Sequence, residues 1–368
     1  MKILFSGNTA WSMYNFRRFI FKYFIQKGYQ VIVLTPKDEK YQKELRTIGC
    51  TCISISIKAK GKNPINDIIT YLQFYRILKK EKPDFCFFYT IKPNIYGSMA
   101  AGKLNIPHIP VTTGLGYVFL HNNWISKIAK NLYKKAFKKA SEIWFLNQED
   151  IQTFQREELV KNKKLFLLHG EGISTQNFEV HLPSNKNLEN IIFLLSARML
   201  WDKGIKDFVE AARIIKPQYP NTRFQLLGFV DNKNPRTIPL KQIQEWEKLG
   251  YIEYLGATND VRPYIYSSTC VVLPSYYREG VPFSLLEGAA CGKPLITTNN
   301  IGCKDVVENE KNGFLCKVKD PHDLASCMEK IIRMSPLKLD EMGLYGRKKV
   351  EKEYDINLII KEYSKRIN

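Results

Sequence analysis

Strand-length apolar runs alternate with helix-length segments along the whole chain, and this alternation constrains the fold more than any single residue does. The first half holds KILFS (2–6), QVIVLT (30–35), CTCISIS (50–56), DFCFFYT (84–90), HIPVTT (108–113), EIWFL (142–146) and KLFLL (164–168). A second series follows: IIFLLSA (191–197), RFQLLG (223–228), IEYLG (252–256), CVVLPS (270–275), PLITTN (294–299) and GFLCKV (313–318). Helical patterns lie between them, such as MYNFRRFIFKYFIQKG, ending on Gly28, and NDIITYLQFYRILKKEKP from Asn66. This order predicts parallel sheets covered by helices on both faces. The polar, aperiodic stretch TQNFEVHLPSNKNLEN separates the two series. The expected organisation is an α/β chain of two Rossmann-like, doubly wound domains over 1–174 and 191–345. A linker spans 175–190 and closing helices span 346–368. Such sheets bind ligands beyond the carboxyl ends of their strands, so a central cleft between the domains is the expected site.

Composition narrows the classes. A chain of 368 residues is long enough for two ordinary domains, and 44% hydrophobic content excludes disorder. No apolar run approaches the length of a membrane span, and MKILFSG enters a strand directly, with no secretory signal. The eight cysteines show no C-x-x-C pair, which predicts reduced thiols in a cytosolic setting and no zinc site. The net charge of +20 implies an anionic partner: nucleic acid, a membrane face or a phosphorylated substrate.

Two stretches of the second half carry chemistry. In REGVPFSLLEGAACGKPLITT, Glu279 falls in the loop after a strand and Glu287 inside the following helix. A carboxylate near a helix N-terminus is ordinary, whereas Glu287 among Leu285, Leu286, Ala289 and Ala290 needs a partner. In SARMLWDKGIKDFVEAA, Arg198 and Lys203 occupy the loop where a helix starts, a seat suited to a diphosphate. Gly228 and Gly256 each follow a strand and leave room for a close ligand or an ordinary turn.

Arg198, Lys203, the strand-glycine loops and the spacing from Glu279 to Glu287 together resemble the C-terminal half of retaining glycosyltransferases of family 4, which have the GT-B fold. The resemblance covers essentially the whole chain. In the first half, TIKPNIYGSMAA and TTGLGYVF are similar to segments of bacterial N-acetylgalactosaminyltransferases acting on undecaprenyl-diphosphate-linked sugars. It implies closing helices that pack back toward the N-terminal domain. It also implies a UDP-sugar donor, a polyprenyl-diphosphate-linked acceptor and peripheral placement on the cytoplasmic face of the inner membrane. By the same resemblance Glu287 accepts from the ribose hydroxyls, and Glu279 faces the donor hexose. The backbone from Gly280 to Phe283 approaches the sugar and phosphates, Arg198 and Lys203 neutralise the diphosphate, and Gly7 brings a loop near the phosphates. Many relatives carry a histidine before the glycine of the TTGLG segment. Here Thr113 precedes Gly114, so no acceptor-side role carries over. No Asp-x-Asp motif is visible, and metal independence without a bound cofactor is expected.

The positive charge concentrates in NWISKIAKNLYKKAFKKASEIWF (123–145). Ile125, Ile128, Leu132 and Ala136 are expected on its buried face, with the lysines and Trp124 meeting either solvent or an anionic bilayer. In FRRFIFKYF, Phe16, Ile20, Tyr23 and Phe24 are expected inside, and Arg17, Arg18 and Lys22 outside. No helix-turn-helix, zinc finger or ribonucleoprotein signature supports nucleic-acid binding. A sugar-nucleotide 2-epimerase on the same fold is the enzymatic alternative.

Overall fold

The computed structural model describes residues 1–57, 64–115, 124–183, 190–231 and 234–367, apart from the side chains of Trp124 and Ile125. Two compact units result: Met1–Gly172 with Ile356–Asn368, and Ile173–Asp355. Unit 1 runs β1 (Lys2–Ser6), α1 (Ala10–Gln26), β2 (Gln30–Thr35), α2 (Glu39–Thr47), β3 (Thr51–Ser54), α3 (Pro64–Glu81) and β4 (Phe85–Tyr89). It continues with α4 (Ser98–Lys103), β5 (His108–Thr112), α5 (Trp124–Phe137), β6 (Ile143–Phe145), α6 (Gln148–Arg156) and β7 (Leu165–Leu167). Unit 2 begins β8 (Ile192–Ser196), α7 (Ile205–Ile215), β9 (Arg223–Leu227), α8 (Leu240–Lys248), β10 (Glu253–Tyr254), α9 (Arg262–Ser267) and β11 (Cys270–Leu273). Then come α10 (Phe283–Ala290), β12 (Leu295–Thr298), α11 (Cys303–Val306), β13 (Gly313–Cys316), α12 (Pro321–Arg333) and α13 (Pro336–Glu353). The last helix, α14 (Ile356–Ile367), belongs to unit 1.

Each apolar run of the sequence becomes one strand. The sheets are ordered β3-β2-β1-β4-β5-β6-β7 and β10-β9-β8-β11-β12-β13. Every pairing is parallel, so the strand order reverses between β1 and β4 and again between β8 and β11. Near-continuous burial of β1, β4, β5 and β11 is what a sheet covered on both faces requires.

Three expectations change. The segment 346–368 does not act as one piece, because α13 stays with unit 2 and only α14 returns to unit 1. Gly343 of α13 explains the first half: a Cβ there would stand 2.0 Å from the carbonyl oxygen of Gly292, so helix and backbone touch. Tyr363 explains the second, its ring 4.8 Å from those of both Phe87 and Trp144, with its hydroxyl 2.8 Å from that of Tyr89. Arg17 points inward, not outward. It falls on the buried face of α1 with Met13, Ile20, Phe21 and Phe24, pairs with Glu171 and lies 3.7 Å over the Tyr89 ring. A buried guanidinium survives only with such partners. Finally, α5 is rotated from the expected register: Ser126, Tyr133, Ala136 and Phe137 are buried and Ile128 is exposed. Two aromatic rings pack on Phe154 of α6, Tyr133 edge-on and Phe137 stacked, and outweigh the aliphatic face. The HNNW stretch preceding α5 lies largely outside the described residues.

Candidate active site

A doubly wound sheet opens a crevice at the carboxyl ends of the strands flanking its reversal, here β8 and β11 of unit 2. The loops leaving those strands are 197–204 and 274–282, and backbone bonds lock them together. The Asp202 carbonyl accepts from the N–H groups of Tyr276 and Tyr277, each at 3.1 Å. Gly204 follows with φ +74°, and a Cβ there would stand 1.9 Å from the Pro274 carbonyl oxygen. A third segment, 234–238, joins them: the Trp201 N–H donates to the Arg236 carbonyl at 3.1 Å, and the Ile238 N–H to that of Met199 at 2.9 Å.

These loops bring Lys203 and Glu279 into an ion pair, with both side chains largely shielded from solvent. The Ser275 hydroxyl lies 2.9 Å from the paired carboxylate oxygen. The Tyr277 ring sits beside two cations, its centroid 5.8 Å from Lys203 Nζ and 5.4 Å from Arg236 Cζ. Arg236 in turn pairs with the buried Asp202. Burial, reinforced by the Glu279 charge, raises the Tyr277 phenol above its ordinary range. Burial also pushes the nearby Cys303 thiol up to about 12, with Glu279 contributing, so this thiol stays protonated and inert at neutral pH.

The residues singled out in the sequence are placed as follows. Lys203 and Glu279, expected at the diphosphate and the hexose separately, are direct partners. Arg198 is exposed in the same loop as Lys203, and among the described residues its guanidinium joins no ion pair. Glu287 lies one turn into α10, half-buried, on a helix held so closely that a Cβ at Gly288 would stand 2.9 Å from the Val271 side chain. Gly280 is buried, and a Cβ at Gly302 would stand 2.4 Å from its carbonyl oxygen, while Phe283 opens α10. Gly228 has φ +152°, and a Cβ there would be 1.7 Å from the Ala197 carbonyl oxygen, so its glycine is demanded by neighbouring backbone. Gly7 is buried in unit 1, in the loop between β1 and α1.

Sequence reasoning missed Arg236, Ser275, Tyr277 and Asp202. Arg236 had no readable signal, because its place depends on the bridge from Leu200 to Thr237. Tyr277 had a weak one, an aromatic two residues before Glu279. The crevice thus carries Lys203, Arg236 and Arg198 as cations on adjoining loops, with Glu279 balancing the first and Asp202 the second. Such a set suits a diphosphate that gains charge during reaction.

Comparison with known proteins defines the class. Residues 2–147 match the family model described as glycosyl transferase 4-like, and residues 177–349 match that of glycosyl transferases group 1. The chain belongs to the family 4 glycosyltransferases of the GT-B fold and is a hexosyl-transferring enzyme. Among its relatives is the Campylobacter jejuni N,N'-diacetylbacillosaminyl-diphospho-undecaprenol alpha-1,3-N-acetylgalactosaminyltransferase. That protein is 30% identical over 99% of this chain and 98% of its own length. The Escherichia coli UDP-Gal:alpha-D-GlcNAc-diphosphoundecaprenol alpha-1,3-galactosyltransferase is 26% identical over 79% of this chain and 77% of its own. Among solved structures, Anabaena HepE in complex with UDP and glucose superposes with a TM-score of 0.80 over 100% of this chain and 99% of its own, at 16% identity.

Proposed function

We propose that this enzyme transfers an N-acetylhexosamine, in first place GalNAc from UDP-GalNAc, onto a sugar linked to undecaprenyl diphosphate during bacterial glycan assembly. The supporting observation is end-to-end similarity to a C. jejuni relative whose name describes that reaction. The E. coli relative, named for UDP-Gal and a diphosphoundecaprenol acceptor, supports the same acceptor class.

In this reading Arg198, Lys203 and Arg236 neutralise the donor diphosphate without a metal ion. Their attraction grows as the bond from the anomeric carbon to the phosphate oxygen breaks, which favours the transition state over the ground state. Lys203 exchanges part of its bond with Glu279 for a phosphate oxygen, and Glu279 turns to the hexose. Glu287 accepts from the ribose hydroxyls, while the backbone of Gly280 to Phe283 approaches the sugar and phosphates. The acceptor hydroxyl attacks the same face that the leaving group vacates, so configuration is retained, and its proton passes to a leaving phosphate oxygen. The acceptor reaches the enzyme at the cytoplasmic face of the inner membrane, where the exposed lysines of α5 meet anionic lipid.

Calorimetry with UDP alone separates the two glutamates. Glu287→Ala weakens UDP by about tenfold or more, since hydrogen bonds to a charged group contribute about 1.5–3 kcal/mol. Glu279→Ala leaves UDP affinity equal or higher, because it frees Lys203 for the diphosphate. Equal losses in both variants would overturn this division of roles.

A further inference from the structure

Helix α3 carries an apolar stripe left open to solvent. Ile65, Ile68, Ile69 and Leu72 are 65%, 59%, 44% and 40% exposed. At about 100° per residue these four fall within roughly 100° of arc. The same arc continues through Arg76, Lys79 and Lys80, all exposed. The opposite side buries Thr70, Phe74 and Leu78. That side is anchored, with Lys92 bonded to Asp67 at 2.7 Å and the Thr70 hydroxyl donating to the Ser56 carbonyl at 3.2 Å. The stripe is therefore held outward by the packing of the rest of the helix. A single exposed leucine is ordinary, but four aliphatic side chains at i, i+3, i+4 and i+7 form an interaction face.

Charge selects what covers it. The arc carries no acidic residue, and its second half is entirely cationic, whereas protein interface cores are depleted of lysine. A second copy of a chain with net charge +20 is a poor match for that end. An anionic leaflet satisfies both halves, taking aliphatic side chains at the boundary between headgroups and acyl chains while basic residues meet the phosphates.

We infer that α3 is a membrane-docking helix that seats Ile65, Ile68, Ile69 and Leu72 in an anionic leaflet, with Arg76, Lys79 and Lys80 on its phosphates. The inference shares with the proposed function only the membrane location of the acceptor, not the transfer chemistry.

Co-sedimentation of the full chain with phosphatidylglycerol–phosphatidylcholine vesicles tests it. The wild type partitions onto these vesicles and, at low salt, only weakly onto phosphatidylcholine alone. The variant I65S/I68S/I69S/L72S loses at least about tenfold of its partition, since burying one aliphatic side chain already corresponds to about that factor. The variant R76Q/K79Q/K80Q loses partition at low salt, and its difference from the wild type vanishes near 1 M salt, where the Debye length is about 3 Å. All seven positions are exposed, so both variants keep the wild-type Tm. Wild-type partition in the serine variant would overturn the inference. So would a wild-type oligomer that the serine variant converts to monomer, because the stripe would then be a self-association face. Transfer to a short, water-soluble acceptor reads the chemistry separately. It is unchanged in both variants, and its absence in the wild type would overturn the proposed function while leaving the vesicle result standing.

Discussion

Lys203→Ala lowers turnover by about two to three orders of magnitude, the scale measured when one preorganised charge-stabilising donor is removed from an active site. The ammonium sits at the sheet reversal of unit 2, held by Glu279 and beside Tyr277. In the proposed reading it faces the diphosphate, on which negative charge develops as the bond breaks. Stability falls too, by about 1–3 kcal/mol, because the shielded Glu279 carboxylate loses the cation it is paired with. The double variant Lys203→Ala/Glu279→Ala recovers part of that stability and none of the turnover, as expected of two groups in direct contact. Urea titration and initial rates with saturating donor separate the effects. Near-normal turnover in Lys203→Ala would show that the diphosphate lies elsewhere.

Gly204→Ala destabilises unit 2 by more than about 3 kcal/mol, because a forced backbone shift adds to the strain of a left-handed alanine. The new Cβ would meet the Pro274 carbonyl oxygen at 1.9 Å, at a residue with φ +74°. Gly250 supplies the control: its φ is +73°, but nothing lies within 4 Å of a Cβ there. Gly250→Ala therefore costs only the left-handed penalty of about 1–2 kcal/mol. Paired thermal melts measure the gap. Equal losses in the two variants would mean that the 197–204 and 274–282 loops are not held together as described.

How much of this was legible in the sequence follows from what each feature depends on. Period and burial are local, so KILFS, QVIVLT and CVVLPS could be read as the strands β1, β2 and β11. Lys203 and Glu279 were legible because each follows a strand beside the reversal, and topology then converges them. Arg236 was not, since its position rests on non-local bonds from Trp201 and to Met199. Arg17 was misplaced because charge was weighed above helical register. Its carboxylate partner, Glu171, lies far along the chain, where no local pattern reveals it. In α5 the aliphatic pattern lost to two aromatic rings that pack against Phe154. The division at Asp355 was hidden because α13 and α14 are both amphipathic, and only tertiary packing assigns them to different units.

The central claim is transfer of a sugar from UDP to a lipid-linked acceptor sugar. It is tested most directly by incubating the purified enzyme with a panel of UDP-sugars and a polyprenyl-diphosphate-linked monosaccharide in the presence of EDTA. Mass spectrometry and the anomeric proton coupling of the product then give the outcome. The account predicts one added N-acetylhexosamine, from UDP-GalNAc before the other donors, α-linked as in the donor and formed at the same rate with the chelator. No addition to the acceptor, or conversion of the free sugar nucleotide in its absence, would contradict it.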